Sequence, residues 1–381
     1  MPNTAVKRLR FPGLVAVAGL LAVATAASPV YPAAAEYPDP AASAPYLPAP
    51  TGPHPVGTRS LHLTDESRQD PWVPEAGARE LMVSLWYPAK SRGERRAEYV
   101  TPKESELLLT AAGITGVPPE VLSWTRTNAY TDVKPAGGKR PLVVLSPGMS
   151  WLRTSLTSVA EELASRGYVV ASIDHTYESH ATTFPDGRIT ICEACLRGIE
   201  NFPTLAVESR ARDVSFVLDQ LTRSPMVDRS RIAMAGMSLG GASVGETMLT
   251  DPRVRAGINL DGTNFKPLPD SGLSRPFMFF GAPAEEPSWV RDWPRLTGWK
   301  RWLTMTGSVH SSFTDYDMLM NQVGVDLGSA LPGTRSVVIT RAYVHAFFEL
   351  HLRGIPQPLL EQPSTRYPEV RFCAPDTNTC P

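Results

Sequence analysis

Apolar residues recur along the chain in two patterns, short continuous runs and longer helical stripes. Continuous runs, which are typical of strands covered on both faces, occupy Pro141–Ser146, Tyr168–Ile173, Ile232–Ala235, Val254–Leu260, Pro276–Gly281 and Arg301–Thr306. Helical stripes occupy Thr154–Arg166, Leu205–Arg223, Gly241–Thr250 and Arg335–Arg353. Because strands alternate with helices, the pattern predicts an α/β fold with a doubly wound, mostly parallel sheet and helices on both faces.

Two strands with alternating apolar positions precede this region. Arg59–Asp65 and Arg79–Tyr87 are predicted to form an antiparallel hairpin that opens the sheet. Residues 91–135 then mix charged residues, glycine and proline with one helical patch, Leu107–Ala112. This segment is compatible both with a lid and with a simple connector.

The N-terminus has the pattern of a secretory signal peptide. Three basic residues, Lys7, Arg8 and Arg10, precede an apolar run from Phe11 to Ala27, and small residues follow. Cleavage is predicted after Ala27 or after Ala35, and residues 1–35 are assigned to the signal peptide. We therefore expect a secreted, extracellular protein with no membrane span after cleavage. An uncleaved membrane anchor is the alternative.

Composition adds information mainly at the two ends of the chain. The sequence has 37 prolines, which are dense before residue 75 and after residue 355. Residues 36–56 are predicted to be a Pro/Ala-rich linker, and residues 57–381 a single α/β domain. The formal net charge of −1 gives no field that would attract nucleic acid, so no nucleic-acid partner is expected. The oligomeric state stays open.

Four cysteines fall in a chain predicted to be exported, where disulfides persist. They lie as two local pairs, and among the three connectivities we favour Cys192–Cys195 and Cys373–Cys380. The C-x-x-C spacing of the first pair also occurs in redox and metal sites. Because the chain has no second C-x-x-C, a disulfide is the preferred interpretation.

The candidate chemistry begins at Arg231–Gly241, where a short apolar run leads into G-M-S-L-G and then into a helical stripe. A tight turn between a strand and a helix is the context that the G-x-S-x-G motif requires. Such a turn holds its central serine in a strained conformation, with small residues two positions before and after it. Ser238 is therefore the candidate nucleophile, and a structural glycine-rich turn is the alternative.

A serine hydroxyl needs a base within hydrogen-bonding distance, and the chain has seven histidines. His310 follows Ser238 in the chain and lies in a loop after a late strand, in the order Ser…Asp/Glu…His typical of this motif. His310 is therefore the candidate base. His175 and His180 follow the strand at Tyr168–Ile173, and either could line the pocket. The others lie in the linker, the hairpin and the last helix: His54, His62, His345 and His351.

An acid should orient the base and stabilise its charged form. Asp261 ends the first strand after the nucleophile helix and is flanked by leucine and glycine, as expected of a carboxylate at a tight strand end. Glu285 and Glu286 follow the next strand and are competitors. They precede a proline at a predicted helix start, where carboxylates also act as caps. Position alone leaves the choice open.

The oxyanion hole should consist of two backbone N–H groups. One belongs to Leu239, directly after the nucleophile, and the other to Met149, in the loop after the first buried strand. Ser238, Asp261, His310 and that loop all follow strands, so we expect them at one edge of the sheet. The sequence shows no metal-ligand cluster, and neither a metal nor another cofactor is expected.

Six short segments carry a family resemblance. They are L-M-V-S-L-W-Y-P (81–88), S-P-G-M (146–149), A-S-I-D-H (171–175), G-M-S-L-G-G (236–241), I-N-L-D-G (258–262) and G-S-V-H-S-S-F-T-D-Y (307–316). They resemble platelet-activating-factor acetylhydrolases of the plasma and intracellular type II kind, over roughly residues 57–353. The resemblance implies an α/β-hydrolase fold. In that family the acid follows the strand directly after the nucleophile helix, which favours Asp261.

The resemblance also implies a reaction. The family hydrolyses a short acyl ester at the second position of a phospholipid through an acyl-serine intermediate, here on Ser238, and needs no metal. The family motif commonly has His before the serine and Phe after it, where this chain has Met237 and Leu239. This departure leaves the candidate nucleophile, acid and base intact and concerns the preference for acyl chain and substrate.

Two alternative hypotheses for the function are also considered. One is a secreted, cutinase-like carboxylesterase or polyesterase acting on short-chain or polymeric esters. Its surface would be lined by Trp289, Trp293, Trp299 and Trp302, although tryptophan at helical spacing is more often core. The other is a non-catalytic secreted binding protein that retains the fold.

Overall fold

The strands and helices follow one another in the predicted order. The computed structural model describes residues 44–373. The strands are β1 (Val56–Gln69), β2 (Ala78–Pro88), β3 (Arg140–Ser146), β4 (Val169–Asp174), β5 (Thr182–Thr183), β6 (Ile189–Thr190), β7 (Val227–Met237), β8 (Val254–Leu260), β9 (Phe277–Gly281), β10 (Lys300–Met305) and β11 (Val370–Phe372). The helices are α1 (Pro102–Ala111), α2 (Thr157–Ser165), α3 (Glu193–Leu196), α4 (Phe202–Leu221), α5 (Leu239–Thr250), α6 (Pro287–Asp292), α7 (Asp315–Gln322) and α8 (Arg335–Arg353).

In the described residues, nine strands form one sheet in the order β1-β2-β4-β3-β7-β8-β9-β10-β11. The central strands from β4 to β10 run parallel. β2 pairs antiparallel with β1 and with β4, and β11 pairs antiparallel with β10. Because parallel strands share one carboxyl edge, the loops after β3, β7, β8 and β10 meet there. The predicted α/β-hydrolase fold is confirmed.

Two helical layers cover the sheet. α2 and α8 pack on one face, where Val159 and Phe347 join the strands in an apolar cluster. α4 and α5 pack on the other face, where Val214 and Met248 belong to a second cluster. Both faces of each central strand are therefore buried, which explains why these strands appear as continuous apolar runs in the sequence.

Residues 91–135 pack beside the loops that follow β3 and β10. α1 and the 3₁₀ turn Val121–Trp124 contribute leucines to an apolar cluster that also contains Leu152, after β3, and Leu319, in α7. The segment predicted as a lid or a connector is thus a packed wall next to the carboxyl edge of the sheet.

The described part of the predicted linker, residues 44–56, packs against the domain. Leu47 is buried, and Thr51 donates to the Glu162 carboxylate of α2 through its N–H (2.8 Å) and its hydroxyl (2.6 Å). Arg341 of α8 donates to two backbone carbonyls of the segment at 2.9 and 3.0 Å. The segment lacks apolar periodicity because polar contacts hold it, and the folded region begins before residue 57.

The late tryptophans belong mainly to the core. Trp289 stacks on Phe279 with ring centroids 4.5 Å apart, and Trp302 packs against the same ring at 6.2 Å. Trp293 and Trp299 are half-buried against neighbouring aromatic rings. The hypothesis that these residues line a surface is therefore wrong for Trp289 and Trp302, which are buried, whereas Trp293 and Trp299 are partly exposed.

The structure tests some of the predictions made for the cysteines and the chain ends. Cys192 and Cys195 are joined by a disulfide with Cα atoms 5.2 Å apart. The predicted signal peptide, residues 1–35, and Cys380, the predicted partner of Cys373, lie outside the described residues. Among the residues that are described, no helix has both the length and the apolar character needed to cross a bilayer.

Candidate active site

Ser238 lies in the turn between β7 and α5, at the carboxyl edge of the sheet. Its φ of 55° and ψ of −123° place it in the strained conformation that the motif predicts. The Ser238 N–H donates to the carbonyl of Leu260 at 2.8 Å, which ties the turn to the end of β8. A Cβ on Gly240 would lie 2.0 Å from the carbonyl oxygen of Ser146, so a glycine is required where α5 approaches β3.

His310 and Asp261 meet at the same edge. His310 begins the 3₁₀ turn His310–Phe313 after β10, and Asp261 directly follows β8. His310 Nδ1 and Asp261 Oδ2 are 2.5 Å apart. The Asp261 carboxylate also accepts from the Ala282 N–H at 2.7 Å, which fixes its orientation. The His310 side chain is 52% exposed and that of Asp261 is 16% exposed, so the pair borders solvent.

The structure separates the three carboxylates that the sequence left in competition. His310 pairs with Asp261. Glu286 instead caps α6 by accepting from the Ser288 N–H at 3.1 Å, and it also accepts from the Thr263 hydroxyl at 2.6 Å. Glu285 is exposed. The capping role weighed for the two glutamates is therefore the one that Glu286 has.

The other histidines have separate surroundings. His180 lines an apolar chamber beside the site, whereas His175 is fully buried in a charged cluster. His62 and His345 pair with neighbouring glutamates, and His351 packs against aromatic rings.

The backbones of Met149 and Leu239 lie on two segments that touch at Ser238. Leu239 is the first residue of α5, so its N–H has no partner within the helix. Gly148 approaches the turn so closely that a Cβ on it would lie 3.2 Å from Ser238 Cβ. The side chains of Met149 and Leu239 pack in one apolar cluster. The two predicted oxyanion donors are thus held on neighbouring segments.

A small apolar chamber, called here the side chamber, opens next to His310. Its volume is about 150 Å³, and its wall is formed mainly by Leu108, Leu109, Leu122, Trp151, Tyr316 and Met320. Trp151 connects it to the site, because its ring centroid is 5.9 Å from that of His310 and 5.5 Å from that of Tyr316. The chamber is suited to a compact apolar or aromatic group.

A buried cluster of charged residues lies beneath the loop that carries Met149. His175 Nδ1 is 2.8 Å from Asp213 Oδ2, and His175 Nε2 is 2.9 Å from Ser146 Oγ. Burial and the Arg210 guanidinium lower the pKa of His175, so the neutral imidazole donates Nδ1–H to Asp213 and accepts from Ser146. The charged members are three guanidiniums and four carboxylates: Arg68, Arg79, Arg210, Asp65, Asp70, Glu178 and Asp213.

Sequence analysis missed this cluster, although α4 carries a signal for it. Arg210 falls three residues after Val207 and four before Val214, so it lies on the buried stripe of the helix. A charge on a core stripe requires a buried partner. That partner, Glu178, lies in the loop after β4. The apolar pattern of the sequence does not indicate which residues of separate elements form an ion pair.

His175, Glu178 and Asp213 offer ligand atoms that lie within 4.8 Å of one another. Their acceptor atoms are already engaged, because Arg79 donates to Asp213 at 2.8 Å and Arg210 donates to Glu178 at 2.8 Å. Guanidiniums in the positions where a cation would bind fit an ion-pair cluster and do not fit a metal site.

Two protein families and several named proteins are similar to this chain. The family described as "Platelet-activating factor acetylhydrolase, isoform II" matches residues 41–188, and the family described as "PET hydrolase-like" matches residues 128–288. A probable 1-alkyl-2-acetylglycerophosphocholine esterase from Arthroderma benhamiae is 30% identical over 365 residues, which cover 86% of this chain and 93% of the fungal protein. The platelet-activating factor acetylhydrolase of Gallus gallus is 26% identical and covers 73% of this chain and 76% of its own.

A solved structure is also similar over most of the chain. It is the ferulic acid esterase from Streptomyces cinnamoneus, which is 44% identical and superposes with a TM-score of 0.81. The match covers 87% of this chain and 100% of that esterase.

Proposed function

The chain belongs to the platelet-activating factor acetylhydrolase family of ester hydrolases, and from this premise we propose that it is a secreted serine esterase acting on short acyl esters. The reaction would proceed through an acyl-Ser238 intermediate. The observation that carries the proposal is the 2.5 Å pairing of His310 with Asp261 at the sheet edge that also bears the strained Ser238 turn.

His310 acts as the base in this mechanism. Asp261 holds Nδ1–H, which leaves Nε2 to accept the Ser238 proton as Oγ attacks the ester carbonyl carbon. The C–O bond to the alcohol then breaks, and His310 returns the proton to the leaving alcohol oxygen. Water, deprotonated in the same way, attacks the acyl-serine carbon, which releases the carboxylic acid and restores Ser238.

The N–H groups of Met149 and Leu239 bind the oxyanion of the tetrahedral intermediates. Loss of one such donor typically costs about 3–4 kcal/mol in the transition state. Because both donors are backbone groups, their position matters and their side chains matter little. Met149→Ala is therefore expected to cost far less activity than Ser238→Ala.

The first proposed substrate is a phospholipid with a short acyl group at its second position. The name of the fungal relative and the matching family support this choice. We expect a fluorophosphonate probe to label Ser238 and the enzyme to release acetate from 1-alkyl-2-acetylglycerophosphocholine. Absence of the label in folded protein would refute the serine mechanism, whereas labelling without acetate release would refute only this substrate.

An aromatic or polymeric ester is the second candidate substrate. The side chamber, with Trp151 and Tyr316 in its wall, favours it, and so does the similarity to a ferulic acid esterase and to PET hydrolase-like proteins. Methyl ferulate and a polyester film, assayed with the same preparation as the phospholipid, separate the two. A higher kcat/KM for methyl ferulate than for the acetylated phospholipid would assign the aromatic ester as the preferred class.

Secretion is part of the proposal. The basic and apolar N-terminal pattern supports it, and so does a disulfide at Cys192–Cys195, since such bonds persist outside the cytosol. Mass spectrometry of protein recovered from the culture medium should find an N-terminus at Ser28 or at Glu36. Recovery of the full-length chain only in the cell fraction would contradict this prediction.

A further inference from the structure

The segment Ser146–Ser150, called here the oxyanion loop, is tied to the buried cluster at three points. The Ser146 hydroxyl donates to His175 Nε2 at 2.9 Å. Arg210 Nη1 donates to the carbonyl oxygen of Pro147 at 2.5 Å. The Ser150 N–H donates to the carbonyl oxygen of Glu178 at 2.7 Å. These contacts lie before and after Met149 in the chain, and they fix the oxyanion loop to the buried cluster.

The cluster itself is a rigid support. Arg79 is fully buried and bridges Asp70 (2.6 Å) and Asp213 (2.8 Å). Asp213 in turn orients His175, and Glu178 orients Arg210 at 2.8 Å. Buried charges hold their geometry strongly, because breaking one pair leaves the other charge unpaired in a medium that cannot solvate it.

Movement of the oxyanion loop would be transmitted directly to the reacting centre. A Cβ on Gly148 would contact Ser238 Cβ at 3.2 Å, and Gly240 of α5 packs directly against the Ser146 carbonyl. A shift of a few tenths of an ångström in the loop would therefore change the distance between the Met149 N–H and the developing oxyanion. Oxyanion stabilisation depends steeply on that distance.

We propose that Ser146, His175 and Arg210 are positioning residues for ester hydrolysis, which set the Met149 N–H at the distance required by the tetrahedral oxyanion. The inference rests on the proposed function, in which Met149 and Leu239 are the oxyanion donors. His175 is 1% exposed and acts through the loop without contact to the substrate. Its linkage to a serine and an aspartate therefore serves geometry and not proton transfer to an ester.

Two variants break the same hydrogen bond from its two ends. Ser146→Ala removes the donor, and His175→Asn removes the acceptor while an amide N–H can still reach Asp213. With p-nitrophenyl acetate we expect each variant to lose about tenfold in kcat with KM within about twofold. Inhibition by a trifluoromethyl propyl ketone, whose hemiketal oxygen occupies the oxyanion hole, should weaken by the same factor. The double variant should lose no more than either single variant.

Ser165→Ala is the matched control. Ser165, the last residue of α2, is as buried as Ser146; it donates to the Glu162 carbonyl at 2.7 Å and accepts from the Gly52 N–H at 3.0 Å. We expect its Tm to fall while kcat and ketone inhibition stay at the level of the unmodified enzyme.

Two results would each overturn the proposal. It is overturned if Ser146→Ala, like the control, changes only Tm, or if kcat falls while ketone inhibition is unchanged. If His175→Asn does not fold, Ser146→Ala decides alone, since it removes a single oxygen atom. Full activity of Ser238→Ala would refute the proposed function itself and is a separate result.

Discussion

Within residues 44–373, two serine–histidine–aspartate arrangements lie in opposite surroundings, one at the surface and one buried. In both, the histidine directs Nδ1 to an aspartate, Asp261 in one case and Asp213 in the other. The side chain of His310 is 52% exposed at the sheet edge, whereas that of His175 is 1% exposed. The outer arrangement borders the side chamber, and the inner one is enclosed by guanidiniums.

This contrast shows that a serine, a histidine and an aspartate placed near one another do not by themselves make a catalytic site. Ser146 ends a strand in regular conformation and has no space for an ester carbonyl beside it, since it is fully buried. Ser238 stands in a strained turn at a helix N-terminus with two candidate N–H donors nearby. Exposure and a position at a helix N-terminus distinguish Ser238 from Ser146. The following predictions test this distinction in order of expected effect.

Ser238→Ala should produce the largest change. Removal of the nucleophile is expected to lower kcat by at least about 10⁴-fold, since only binding and the oxyanion hole would then contribute. The circular dichroism spectrum and Tm should stay close to those of the unmodified protein. A fall no larger than that of Ser146→Ala, measured with p-nitrophenyl acetate, would abolish the distinction between the outer and inner serines.

Asp261→Asn should have the next largest effect on activity. Loss of the carboxylate removes the group that orients His310 and stabilises its charged form, so kcat should fall about 10³–10⁴-fold. Glu285→Gln is the matched control on an exposed carboxylate and should leave kcat unchanged. If the two variants exchange these results, the acid of the outer arrangement has been assigned incorrectly.

Asp213→Asn should affect stability above all. The change removes one of the carboxylates that pair with Arg79 and with Arg68, and leaves Asp70 paired with Arg79 and Asp65 paired with Arg68. Because the lost charge is buried, the free energy of unfolding is expected to fall by about 3–5 kcal/mol. Asp261→Asn borders solvent and should lose less than about 1 kcal/mol. Urea unfolding of the two variants measures this difference, and equal losses would contradict the structural role assigned to the inner aspartate.

The inner arrangement should also make the protein sensitive to acid. Burial and Arg210 lower the pKa of His175 below 6.5, and Arg79 holds the pKa of Asp213 well below 3.8 against the opposing effect of burial. As pH falls below about 6.5, His175 becomes protonated in the unfolded chain but stays neutral in the folded protein, so the free energy of unfolding decreases. Below about pH 4, Asp213 becomes protonated in the unfolded chain, and its contribution to stability is lost as well.

Thermal unfolding from about pH 7 to about pH 5 tests the histidine contribution. The Tm of the unmodified protein should decrease over this range, and His175→Asn should show a smaller decrease from a lower starting value. An identical slope in the two proteins would assign the acid sensitivity to other groups.

Leu109→Ala should give the smallest effect, confined to substrate choice. The substitution enlarges the side chamber, and each extra methylene that it accommodates is worth about 0.8 kcal/mol, or about fourfold in kcat/KM. The ratio of p-nitrophenyl hexanoate to p-nitrophenyl acetate hydrolysis should rise. Leu107→Ala, on the same helix but outside the chamber wall, is the control, and an equal rise there would show that the chamber does not receive the acyl group.

The layered fold and the outer arrangement were predictable because their signals are local. Buried parallel strands appear as continuous apolar runs, and the bounds predicted for Val254–Leu260 and Arg335–Arg353 are the observed ones. Ser238, Asp261 and His310 each follow a strand, so topology alone predicts them at one edge. The family resemblance favoured Asp261 over the glutamates, which position could not do.

The inner arrangement and the N-terminal packing were missed because their signals are not local. Arg210 and Glu178 lie on separate elements, and a periodic pattern does not show which charges meet. Residues 44–56 have no apolar period, since their contacts run through backbone carbonyls and a carboxylate. The surface hypothesis was wrong for Trp289 and Trp302 because stacking among aromatic rings depends on neighbours from several elements.

The docking of residues 44–56 has a consequence for the order of folding during synthesis. The segment leaves the ribosome early, yet Arg341, which donates to the Pro48 carbonyl, follows it by 293 residues. At usual elongation rates that interval is roughly 15–60 s. The contacts of this segment with Arg341 can therefore form only after the last helix emerges, whereas its contacts with Glu162 of α2 can form earlier.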